Sequence, residues 1–184
     1  MFAASKQDTE EGMDSTISGI DAVLKVQKPA NDWEWYVCRE VERMVEQKMR
    51  PAFMQAPRNY AFNNGGIFVS YHQKLGTLLD IVNITKQAGV QKSCIEPMAV
   101  YFTIEMLGMV EALHGADILQ ADLKADNFML QHIPVPDLAA SSPEEMFRDL
   151  APSLQLIDFG KSVDLRLLPK DILFSKVRVG QFCD

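Results

Sequence analysis

The chain has 184 residues, enough for one domain with a sizeable core. It is 47% hydrophobic and 23% charged, a globular balance. Its net charge of −7 and pI of about 5.0 exclude a general nucleic-acid-binding role, and no apolar run is long enough to span a bilayer.

Residues 1–21 are polar and acidic through Gln7-Asp8-Thr9-Glu10-Glu11-Gly12 and read as a flexible segment. Ala22-Val23-Leu24-Lys25-Val26 reads as a short strand, broken by Lys28-Pro29. Asn31 and Asp32 offer N-cap oxygens to a helix whose apolar residues Trp33, Val37, Val41, Met44 and Val45 recur at helical spacing, with Pro51 limiting its far end. Asn63-Asn64-Gly65-Gly66 is a turn signal before a strand Ile67–Tyr71, with an earlier hairpin arm around Asn59–Phe62. Gly76-Thr77 precedes a helical stretch Leu78–Ile84. A long helix is expected from Pro97 towards Leu113, burying Phe102, Met106, Met109, Val110 and Leu113 and ending at Gly115 in the left-handed conformation. His114 reads as a packed structural histidine. Residues 131–153 look like an insertion, a surface loop with a short helix around Pro143–Leu150. Cys38, Cys94 and Cys183 are odd in number and lack metal-ligand spacing, which fits a reducing intracellular compartment. The N-terminus has no secretory signal layout, so the sequon Asn83-Ile84-Thr85 is read as chance.

Two strings carry chemistry: Asp122-Leu123-Lys124-Ala125-Asp126-Asn127 and Leu156-Ile157-Asp158-Phe159-Gly160. They match the catalytic loop and metal-binding turn of protein kinases. Phosphoryl transfer needs a carboxylate to orient the substrate hydroxyl and accept its proton, which suits Asp122. It also needs oxygen ligands for Mg2+, which Asn127 and Asp158 supply. Lys124 resembles the lysine that Ser/Thr kinases place near the transferred phosphate. Upstream, Lys25 lies in a Val-Leu-Lys-Val strand, similar to the strand whose lysine contacts the ATP α- and β-phosphates. That lysine needs a carboxylate partner on the next helix, for which Glu34 and Glu40 both qualify. Glu34 could instead form a capping box with Asn31, and the run Glu40–Arg43 reads as a solvated face.

The resemblance goes further. Val23-Leu24-Lys25-Val26-Gln27-Lys28-Pro29-Ala30-Asn31 with Trp33-Glu34, then Gly76-Thr77-Leu78-Leu79, Asp122–Phe128 and Asp158–Leu165, is similar to the mitotic checkpoint Ser/Thr kinases of the Bub family. This covers most of residues 22–184 except the insertion. The resemblance implies that Glu34 pairs with Lys25, that Tyr71, His72 and Gln73 belong to the hinge receiving adenine, and that Ser70 is near the gatekeeper position. It implies ATP and Mg2+ as cofactors and Ser/Thr residues of chromatin and checkpoint proteins as substrates. It also implies contacts with other checkpoint proteins through regions outside this segment, and a location at the kinetochore, in the nucleus and in the cytoplasm. Direct nucleic-acid or membrane binding is not expected.

The expected fold class is α+β: an incomplete, protein-kinase-like two-lobed fold, with small lobe and hinge at 22–75 and the start of a helical large lobe at 76–184. No Gly-x-Gly-x-x-Gly precedes Lys25, Met1-Phe2-Ala3-Ala4 looks like the strand after such a loop, and Gly180–Asp184 falls inside the activation segment. Such a fragment is expected to be marginally stable and nearly inactive alone. Gln120-Ala121 stands where His-Arg or His-Gly usually precedes the aspartate, which puts the rigidity of the loop in question and removes the usual phosphate-binding arginine. The competing readings are a pseudokinase scaffold in a checkpoint complex and a small-molecule kinase of the aminoglycoside or choline type. Lys124 and the Asp-Phe-Gly turn favour a protein substrate over the latter.

Overall fold

The computed structural model of the chain describes residues 2–4, 21–133 and 151–169. A four-stranded antiparallel sheet, in the order β1–β2–β4–β3, comprises β1 (Phe2–Ala4), β2 (Ala22–Gln27), β3 (Arg58–Phe62) and β4 (Gly65–Tyr71). The expected hairpin is present, with Phe62 opposite Gly65. Its glycine is sterically required: a Cβ on Gly65 would stand 2.7 Å from the Gln27 carbonyl oxygen. Phe2 pairs with Leu24, so the opening residues contribute a strand; residues 5–20 lie outside the described residues.

Helix α1 (Trp33–Met44) buries Glu34, Val37, Cys38 and Val41, one face at helical spacing. Two expectations about it are corrected. Met44 is 41% exposed, and the helix stops there; Pro51 lies in a separate 3₁₀ turn, Gln47–Ala52. The alternative reading of Glu34, a capping box with Asn31, is not what forms: Asn31 Oδ1 accepts from Trp33 N at 3.0 Å rather than from Glu34 N, and the Glu34 side chain turns to Lys25.

The helical part has α2 (Leu78–Gln87) and α3 (Lys92–Gly115). Thr77 and Asp80 form a reciprocal capping box that fixes the start of α2. Helix α3 starts five residues before the expected Pro97, which sits inside it in the second turn and there gives up one i→i−4 hydrogen bond. Gly115 remains helical, and Asp117 takes the left-handed turn instead, at φ 57°. His114 is exposed rather than packed. Phe102, Met109 and Leu113 are buried as expected, whereas Val100, Ile104 and Leu107 make a second stripe, each 59–65% exposed.

Two short antiparallel pairs follow: β5 (Ile118–Leu119) with β8 (Val163–Asp164), and β6 (Phe128–Leu130) with β7 (Leu154–Leu156). The β6–β7 pair brackets the expected insertion, whose residues 134–150, including the expected helix, lie outside the described residues. One core joins the two parts: Val37, Val41, Phe53 and Phe68 pack in the same cluster as Leu113, Leu154, Leu156 and Phe159. A backbone bridge from Phe53 to Leu156 ties them directly. No described helix is long and apolar enough to cross a membrane.

Candidate active site

A cavity of ≈ 540 Å³ opens between the sheet and the helical part. Its sheet wall follows from strand alternation. Val23 and Lys25 share a face of β2, and their partners on β4 are Ser70 and Phe68; all four line the cavity. The opposite wall holds Asn127, Met129, Ile157 and Asp158.

Lys25 Nζ lies 2.7 Å from Glu34 Oε2 and 3.5 Å from Asp158 Oδ1. Burial works to lower the Lys25 pKa, but the hydrogen bond and charge of Glu34, with Asp158 behind it, outweigh that and raise it. Burial pushes the Glu34 carboxyl up against the pull of Lys25. The 2.7 Å contact joins the two groups, with Glu34 almost wholly withdrawn from water at 2% exposure. The choice left open between Glu34 and Glu40 is thus settled geometrically. Glu40 faces the other way, accepting from Arg43 and Arg166 at 2.7 Å each, so it is no mere solvated charge.

Asp158 adopts φ 63°, the left-handed conformation that aspartate tolerates at local cost. Phe159, fully buried, anchors the turn against Phe53 with ring centroids 6.5 Å apart, leaving Asp158 on the cavity side. Asn127 Nδ2 donates to the Asp122 carbonyl at 2.8 Å, which holds the catalytic loop closed and leaves the amide oxygen as the atom suited to a cation. The Asp122 carboxylate sits 3.2 Å from Lys161 Nζ and 3.3 Å from Lys124 Nζ. The Lys161 hydrogen bond, helped by Lys124 and opposed by burial, holds its pKa below the ordinary value.

Gln120 answers the question raised by the missing histidine. Its Nε2 donates to the Asp158 carbonyl and its Oε1 accepts from Ser162 Oγ, both at 2.8 Å, bolting the catalytic loop to either side of the turn.

The structure therefore gathers Lys25, Glu34, Asn127 and Asp158 with His72 and Gln73 around one cavity. Asp122 and Lys124 adjoin it through Asn127 and each other. The Tyr71 side chain is not brought in; it stands exposed at the end of β4. Lys161 and the bridging use of Gln120 were missed as site features. Lys161 follows Gly160 in the quoted string, but nothing in the sequence says that it turns back to Asp122.

No family model matches the chain. It is 35% identical over 153 residues to the mitotic checkpoint serine/threonine-protein kinase BUB1 of Mus musculus, covering 83% of this chain and 14% of that protein. It is 33% identical over 152 residues to the Arabidopsis thaliana protein of that name, covering 83% and 29%. The Schizosaccharomyces pombe spindle assembly checkpoint kinase bub1 is 30% identical over 181 residues, covering 92% and 17%. The chain thus spans less than a third of the length of these curated relatives. Among solved structures, a BubR1 kinase domain superposes with a TM-score of 0.73 at 31% identity, covering 89% of this chain and 46% of that one. With sequence likeness over most of its length and the protein-kinase-like α+β fold of that domain, the chain belongs to the Bub family of checkpoint serine/threonine kinases and carries part of the kinase domain.

Proposed function

We propose that the protein transfers the ATP γ-phosphoryl group to serine or threonine hydroxyls of proteins in the spindle assembly checkpoint. The observation that carries this reading is the continuous polar chain Glu34–Lys25–Asp158, set in one cavity with Asn127. Lys25, fixed by Glu34, binds the α- and β-phosphates, and the backbone around His72 and Gln73 receives adenine. Asp158 and Asn127 offer hard oxygen atoms from the same wall of the cavity, a donor set that fits Mg2+. The bound cation would neutralise phosphate charge and orient the γ-phosphoryl group. Asp122, kept ionised by Lys161 and Lys124, orients the substrate hydroxyl and accepts its proton, and Lys124 stands ready beside the transferred group.

The names of the relatives, a mitotic checkpoint and a spindle assembly checkpoint kinase, support a role in mitotic checkpoint signalling. On that basis the reading extends to chromatin and checkpoint proteins as substrates, to checkpoint partners bound outside this segment, and to action at kinetochores, in the nucleus and in the cytoplasm. The competing reading, a non-catalytic scaffold, is motivated by Gln120-Ala121 and by the lack of a Gly-x-Gly-x-x-Gly before Lys25 in this sequence. The two hydrogen bonds of Gln120 supply the anchorage that the altered pair was expected to lose, which favours catalysis.

Nucleotide binding by calorimetry tests the site. Mg2+ should tighten binding of an ATP analogue to the unaltered protein. Lys25→Ala should weaken that binding at least tenfold, and Asp158→Asn should remove its Mg2+ dependence. Identical affinities with and without Mg2+ in all three proteins would refute the assignment.

A further inference from the structure

Helix α1 carries Glu34, so whatever fixes this helix fixes the contact with Lys25. Three residues on one face of α1 reach the segment just beyond the Asp-Phe-Gly turn. Trp33 Nε1 donates to the Ser162 carbonyl at 2.9 Å, Tyr36 OH to Asp164 Oδ2 at 2.8 Å, and Glu40 Oε2 accepts from Arg166 Nη2 at 2.7 Å. Asp164 is the hub. Only 2% exposed, it also accepts from Arg166 Nε (2.8 Å), Arg166 Nη2 (2.6 Å) and the Arg166 backbone N (3.0 Å). The segment is pinned in turn to the base of the catalytic loop. Asp164 pairs with Ile118 across β5–β8, and Leu165 N donates to the Asp117 carbonyl at 2.9 Å.

Apolar packing alone would let α1 slide, whereas a buried carboxylate gripping four donors has one good arrangement. It also places a permanent negative charge where it needs no added phosphate; Ala121, before the catalytic aspartate, offers no cation to receive one. We infer that Asp164 is a positioning residue: with Tyr36, Arg166 and Glu40 it forms a built-in latch that holds α1 so that Glu34 meets Lys25 without phosphorylation. This rests on the kinase reading for its consequence but not for its geometry.

The test is a set of double-mutant cycles. Asp164→Asn, Tyr36→Phe and Arg166→Ala are each made in the unaltered protein and in Glu34→Gln, and binding of a non-hydrolysable ATP analogue with Mg2+ is measured. A latch acting through Glu34 weakens binding about 5- to 20-fold in the first background and less than twofold in the second. Equal losses in both, or none in either, overturn it. Tyr36→Phe carries the cycle if the charge variants do not fold. Exchange of the Trp33 indole N–H, followed by NMR, reads the latch without nucleotide. It should be slow in the unaltered protein, unchanged by phosphatase and fast in Tyr36→Phe; slow exchange in that variant, or loss of protection on phosphatase treatment, overturns the inference. If no form binds nucleotide, the kinase reading fails, while the indole exchange still decides whether the latch exists.

Discussion

Replacing Asp164 with Asn should destabilise the fold by an amount that can be worked from its surroundings. The Arg166 hydrogen bonds, aided by Tyr36 and opposed by burial, hold the Asp164 carboxyl down at about 2, against an ordinary 3.8. At 1% side-chain exposure solvent screening is slight, and the difference corresponds to about 2 kcal/mol. For a domain of this size that lowers Tm by about 4–8 °C at pH 7. The sign of the pH dependence follows from the depressed pKa: the stabilisation is complete above about 3.8 and is lost as pH falls through about 2. Melting curves for both proteins, recorded by circular dichroism from pH 7 down to pH 2, should therefore converge below about pH 4. A gap that stays constant over that range, or no gap at pH 7, would refute the idea that the ionised carboxylate contributes this stability.

Three further outcomes are expected. Phe159→Ala empties a fully buried site between the two parts of the core, so urea unfolding should show a loss of about 3–5 kcal/mol; under 1 kcal/mol would mean that Phe159 is not packed there. Gly65→Ala must push the Gln27 carbonyl from 2.7 Å, costing about 1–3 kcal/mol by the same assay, and a neutral result would count against the β2–β4 register. Gln120→Leu removes the bonds to Asp158 and Ser162 on either side of the Asp-Phe-Gly turn and should weaken Mg2+-dependent analogue binding about tenfold, whereas Gln120→His, which can still donate to the Asp158 carbonyl, should recover most of it. Equal losses in the two variants would refute that bridging role.

What could be read in the sequence was whatever depends on local pattern or contiguous motif. The hairpin at Asn63–Gly66, the capped start of α2 and the core stripe of α3 follow from turn chemistry and period. The motif residues Asp122, Asn127 and Asp158 were legible because two short strings fix them. Errors came where tertiary contacts overrode local preference. Pro97 reads as a helix start, yet α3 begins at Lys92 and runs through it. Gly115 is the natural residue for a left-handed turn, yet the chain makes that turn at Asp117, where β5 begins. Glu40 belongs to a charged run and gave no sign of its partner, because Arg166 is 126 residues away in sequence. Gln120 looked like a defect for the same reason: its two partners lie beyond the insertion, on residues that only folding brings together.

Asp122 is proposed to serve phosphoryl transfer to a protein hydroxyl. The most direct measurement follows the γ-phosphate of Mg-ATP onto histone or a checkpoint protein, using the full-length protein beside its Asp122→Asn variant. Transfer by the unaltered protein, falling at least a hundredfold in the variant while nucleotide affinity is kept, is the expected result. Nucleotide binding with no transfer by either form would contradict it and leave the protein a scaffold.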